Sequence, residues 1–149
     1  MRDKKKVVRS APKKALRQTK NTLSVGYRRL LKLADVLDVV PRDRFDMSRW
    51  TSGVGFAPGR CGTAGCAAGW GATIPEFALA GFTLDGEGGV RCEVYSGYDA
   101  CEEFFGKGVP RRRIAELREL FAPDSYADHD NPRIVAKSIR AFVAEKEGA

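Results

Sequence analysis

This chain has one histidine, two methionines and two tryptophans in 149 residues, and it is short of several kinds of chemistry. A lone His129 excludes a multi-histidine metal centre and leaves one imidazole for acid–base work. No apolar run approaches the ~20 residues a membrane helix needs. The basic N-terminus lacks the apolar stretch of a secretory signal, so a cytoplasmic protein is expected. Phosphate loops are missing as well. Gly106-Lys107-Gly108 has neither the upstream glycine spacing nor the Ser/Thr of a P-loop, and Gly53, Gly55 and Gly59 do not make a dinucleotide fingerprint. Glu102 and Glu103 are adjacent and point apart on a helix, so they do not share a site. No cofactor is called for by any motif.

What is present is charge, unevenly placed. The net charge is +7, yet residues 1–29 hold eleven Lys or Arg against the single acid Asp3, so everything after residue 29 is net acidic. A segment this dense in one sign repels itself, and it is either a solubilising tail or an arm for a polyanion. Nucleic acid is the common polyanion, because each phosphate contact releases a condensed counterion. Lys4, Lys5, Lys6, Arg9, Lys13, Lys14, Arg17 and Lys20 are the candidate phosphate contacts, with Arg28 and Arg29 extending the footprint onto the first helix. Arg111-Arg112-Arg113 is a secondary basic patch at a helix start, with Glu116 and Glu119 one turn on.

Residues 1–21 read as the arm and 22–149 as one α-rich domain. From Thr22 the residues Leu23, Tyr27, Leu30, Leu31, Ala34 and Leu37 recur at helical spacing, with Asn21 or Thr22 as cap and Pro41 as the stop. Phe45, Met47 and Trp50 lay apolar side chains on the core from an irregular segment. Thr63 caps a helix running to about Thr73, so rich in Gly and Ala that close packing must surround it. Pro75 opens a short turn stopped by Gly81. Phe82–Leu84 and Val90–Val94 flank Asp85–Gly89 as a β-hairpin. Ser96 caps a helix stopped by Gly106, Pro110 starts another reaching Phe121, and Asn131-Pro132 starts the last. The expected class is mainly α (α+β), a small helical domain with one hairpin and a basic N-terminal arm.

The ten residues Cys61–Trp70, CGTAGCAAGW, are the most distinctive block. Cys66 in the first turn of a helix is placed for a stabilised thiolate, whereas the bland reading makes both cysteines small buried hydrophobes beside Trp70. Cys61, Cys66, Cys92 and Cys101 together form a zinc alternative, at spacings C-x4-C and C-x8-C that fit zinc motifs poorly. A Cys–His pair with His129, between Asp128 and Asp130, is the remaining catalytic alternative against a solvated loop histidine.

Phe45-Asp46-Met47, Trp50, the CGTAGCAAGW block, Phe104-Phe105-Gly106 and Leu120-Phe121-Ala122-Pro123 follow one another in an order that resembles small uncharacterised proteins of bacteriophages and bacteria. The resemblance spans residues 45–123 and leaves out the basic arm. It implies a phage or mobile-element origin and a shared domain, and no activity. The sequence therefore points to a non-enzymatic, phage-type accessory protein, cytoplasmic in a bacterial host or virion-associated, whose arm binds nucleic acid or an acidic protein surface. The alternatives are an inhibitor, adaptor or virion component docking on a host or virion protein through the domain surface, and a thiol or zinc protein centred on Cys61 and Cys66.

Overall fold

The computed structural model describes residues 23–47, 66–85 and 89–145. Among these, the chain forms α1 (Val25–Leu37), α2 (Ala67–Gly71), α3 (Pro75–Leu79), β1 (Phe82–Leu84), β2 (Val90–Cys92), β3 (Tyr95–Ser96), α4 (Gly97–Phe105), α5 (Ile114–Glu119) and α6 (Pro132–Ala144). Short 3-10 turns occupy Arg42–Arg44, Arg111–Arg113 and Pro123–Ser125. The protein is mainly α with a small antiparallel sheet in the order β1-β2-β3.

The apolar stripe of α1 is the reason it folds where it does. Tyr27, Leu30, Leu33, Ala34 and Leu37 are all buried, and each large side chain removed from water contributes roughly 1.5–3 kcal/mol. The helix starts later than the sequence suggested, because Ser24 rather than Asn21 or Thr22 is the cap, its hydroxyl accepting from the Tyr27 amide at 3.4 Å. At the other end of the chain Asn131 caps α6 by accepting from the Arg133 amide at 3.1 Å, with Pro132 as first helical residue, as its sequence predicts. These two longest helices pack on each other, and Arg140 of α6 clamps them by donating to Asp35 at 2.8 Å and Asp38 at 2.6 Å.

Helix α2 is shorter than expected. Cys66 has extended backbone (φ −80°, ψ −179°), so the helix begins at Ala67 and Cys66 stands at its cap; Thr63 lies outside the described residues. The expectation of close surroundings holds, since Ala67, Ala68, Gly69, Trp70 and Gly71 are all buried. The Trp70 indole donates to the Arg44 carbonyl at 2.9 Å, tying α2 to the segment that also buries Phe45 and Met47. Trp50 lies outside the described residues.

The sheet departs from the expected hairpin in one respect. Val90–Val94 is not one strand: the chain reverses at Glu93-Val94 so that Cys92 pairs with Tyr95, adding β3. Glu93 takes φ 56°, a conformation that two-residue hairpin turns require and normally fill with Gly or Asn. Behind the sheet, Phe77, Phe82, Phe104, Phe105 and Phe121 form the aromatic centre of the core, with ring centroids 4.7–5.8 Å apart along its contacts. Likewise the helix expected from Pro110 to Phe121 is a 3-10 turn followed by α5.

Candidate nucleic-acid interface

The candidate contacts Lys4, Lys5, Lys6, Arg9, Lys13, Lys14, Arg17 and Lys20 lie outside the described residues. The structure does place the root from which that segment leaves the domain. Leu23 and Ser24 enter α1 beside the turn at Gly106–Val109, and the Gly26 amide donates to the Lys107 carbonyl at 2.8 Å. The two segments approach so closely that side chains are excluded. A Cβ on Gly26 would collide with the Phe105 carbonyl oxygen, and one on Gly108, already at φ +84°, would collide with the Ser24 Cβ. The sequence Gly106-Lys107-Gly108, which is no phosphate loop, is thus the seat of the arm's root.

Around this root the arginines divide into two kinds. Arg29 donates to the Phe104 carbonyl at 2.8 Å and its guanidinium sits 3.8 Å from the centre of the Phe104 ring. Arg113 repeats the arrangement on another helix: it donates to the Phe142 carbonyl at 2.9 Å and lies 3.8 Å from the Phe142 ring centre. Phe104 and Phe142 each stand in the last turn of their helix, where carbonyls lack a helical partner. Each arginine therefore caps a helix C-terminus, where positive charge is favoured, and stacks on the phenylalanine it caps.

The sequence reading placed Arg113 with Arg111 and Arg112 in one basic patch. Arg113 is 5% exposed, bonded to Tyr27 Oη at 3.1 Å and Glu116 at 2.9 Å, and it is a core connector rather than part of a basic patch. Arg29, half-buried, donates to the protein's own backbone. Arg28, Arg111 and Arg112 are the exposed remainder.

The electrostatic surroundings sharpen the division. Near the root, Glu103 pairs with Lys107 at 3.2 Å, Glu116 with Arg113, and Glu145 with Arg113 at 3.7 Å, while Glu102 and Asp99 are taken by Arg118. Arg28, Arg111 and Arg112 make no ion pair among the described residues. A groove of about 500 Å³ is lined by Arg111 together with Lys107, Glu102, Glu103, Val109 and Ile114. Acidic side chains gather beyond the opposite end of α1. There Arg42 reaches Asp130 at 2.6 Å and Asp128 at 2.9 Å, and a second groove of about 600 Å³ carries Asp43, Asp46 and the exposed His129. A hydrogen bond with Asp128, and then one from Arg42, hold the Asp130 carboxyl below the usual range.

The three described thiols lie in the core. Cys66, Cys92 and Cys101 are buried free thiols. Burial pushes the Cys66 thiol up to about 11, overcoming the amides of Gly69 and Ala68 that favour the thiolate. For Cys66 the reading as a small buried thiol beside Trp70 agrees with its burial, and desolvation outweighs the helix start that would favour a thiolate. Burial also raises Cys92 and Cys101. Among the described residues no three His, Cys, Asp or Glu side chains come together to hold a metal, and Cys61, the fourth member of the zinc alternative, lies outside them. No helix of the described residues is long and apolar enough to cross a membrane. Comparison with protein-family models, curated proteins and solved structures finds no match.

Proposed function

We propose that this is a non-enzymatic accessory protein that grips the phosphate backbone of nucleic acid through its basic N-terminal arm. The observation that carries the reading is the charge partition: eleven Lys or Arg against one acid in residues 1–29, followed by a net acidic remainder. Such a segment binds by counterion release, with affinity that falls steeply as salt rises and little dependence on base sequence. The resemblance to small phage and bacterial proteins supplies an origin for the molecule in the host cytoplasm or virion.

The test is a fluorescence-anisotropy titration of the full-length protein on nucleic acid across a salt series. Full-length protein with Lys4, Lys5, Lys6, Arg9, Lys13 and Lys14 changed to Gln is the comparison. A steep slope that the replacements flatten is expected. Binding that the replacements leave unchanged would sink the reading. An acidic protein surface becomes the polyanion to seek if neither form binds near physiological salt.

A further inference from the structure

We infer that the groove between α1 and the α2–α3 segment is a two-fold docking surface, and that its occupant is the same surface of a second copy of this chain. The inference goes beyond the proposed function and does not rest on it.

The groove measures about 490 Å³, and Val36, Trp70, Ile74 and Pro75 make its walls mainly apolar. Lys32 of α1 and Glu76 of α3 pair at 3.5 Å and are the two charges of its lining. Each wall also carries an apolar side chain held out in water. On the α1 side the Val39 amide donates to the Val36 carbonyl at 3.1 Å, a tight turn that sets Val39 over Val36. On the α3 side Leu79 follows Glu76 by three residues and Pro75 by four, which puts it on their face of the helix. Val39 is 78% exposed and Leu79 90%, the highest value of any large apolar side chain among the described residues.

Two observations select a second copy as the occupant. The first is shape. A two-fold interface sets one patch against itself, so that patch must carry both the projections and the hollow they enter. Here one surface has both, and both are apolar, so Leu79 and Val39 of each copy seat in the groove of the other. The second is charge. Lys32 and Glu76 sum to zero, so two copies of the patch meet without repulsion, and the two-fold sets Lys32 against Glu76 of the second copy. The groove that carries Arg42, Asp43, Asp46, Asp128 and Asp130 would repel its own copy instead. A centre poor in charge, with a tryptophan in its wall, also has the composition of an interface core.

The experiment is sedimentation equilibrium on the nuclease-treated full-length chain, from micromolar to near-millimolar concentration. A concentration-dependent rise to twice the chain mass is expected. Burying one Leu79 contributes roughly a tenfold factor, and a two-fold pair carries it twice, so Leu79→Asp should raise the dissociation constant about 100-fold. Because Leu79 is exposed, that variant should melt close to the wild type by circular dichroism. Lys32→Glu and Glu76→Lys give a second readout. Each alone sets like charges across the two-fold and should weaken self-association. An equimolar mixture of the two should restore it, since the acids of one variant then face the cations of the other. Mixing cannot repair the pair within a single chain, so the rescue reports contact between copies. A wild-type chain that stays monomeric overturns the inference and leaves the groove to another occupant, either residues 48–65 of this chain or a protein of different sequence. A dimer that Leu79→Asp leaves intact overturns it as well, since another face then holds the copies together. A mixture no better associated than its components overturns the two-fold arrangement.

Discussion

Replacing Arg113 by Met removes a buried cation while keeping much of its volume, and the structure sets the size of the loss. Two buried acceptors, the Phe142 carbonyl and the Tyr27 hydroxyl, lose the donor that reaches them at 2.9 and 3.1 Å. Leaving such a group unsatisfied costs about 1–3 kcal/mol each. The stacking on the Phe142 ring adds about 1–2 kcal/mol, whereas the pair with half-exposed Glu116 contributes less than about 1. Against this, Met needs no desolvation of a charge, which returns part of the loss. A net destabilisation of about 2–4 kcal/mol follows. For a chain of this length that lowers the midpoint of thermal unfolding by roughly 10 °C. Circular dichroism at 222 nm with heat and urea measures it. Arg113→Lys should fall between, since an ammonium keeps the charge and loses the fork. The neighbouring Arg112→Gln should change stability by less than about 0.5 kcal/mol. If Arg113→Met and Arg112→Gln melt together with the wild type, the capping role assigned to Arg113 is refuted.

Gly26→Ala should destabilise by about 1–3 kcal/mol despite the better helix propensity of Ala, because the new Cβ meets the backbone oxygens of Phe105 and Lys107. A urea midpoint at or above wild type would contradict that close approach. Cys66, Cys92 and Cys101 should resist maleimide in the native protein at neutral pH and react once urea is added. Peptide mapping that finds any of the three modified quickly without denaturant counts against their burial. The same burial gives a pH dependence with a definite sign. The fold raises Cys66 to about 11 and Tyr126 to about 12, so it favours their neutral forms. That contribution is complete below the ordinary thiol range and is lost as pH climbs through these values. Unfolding temperature should therefore fall from about pH 9 upward, and Cys66→Ala should flatten the first part of the decline. An unchanged decline in that variant would assign the alkaline loss to other groups.

Elements whose chain carried both a period and a boundary residue were legible in the sequence. Helices α1, α4 and α6 have apolar spacing together with Pro41, Gly106 or Asn131-Pro132, and they formed close to where those signals stand. Two features gave no such signal. The turn at Glu93 uses a positive φ without Gly or Asn, so nothing marked β3. The second is the role of the arginines, because charge alone does not say which guanidinium meets a helix end. A trace of it was present even so. Arg113 stands four residues before buried Leu117, and Arg29 stands three after buried Gly26 and four before buried Leu33. A charged residue on an apolar stripe is a candidate for burial with partners, and that pattern separates Arg29 and Arg113 from Arg28 and Arg112.

The charge layout of α1 bears on the same question from a different side. A helix prefers acids near its N-terminus and bases near its C-terminus, with each misplaced charge unfavourable by about 0.3–1 kcal/mol. Helix α1 is written the other way round, with Arg28 and Arg29 early and Asp35 and Asp38 late. Most of this inversion is offset inside the fold. Arg29 gains the C-terminal carbonyl of α4, and the Asp35 and Asp38 carboxylates gain Arg140.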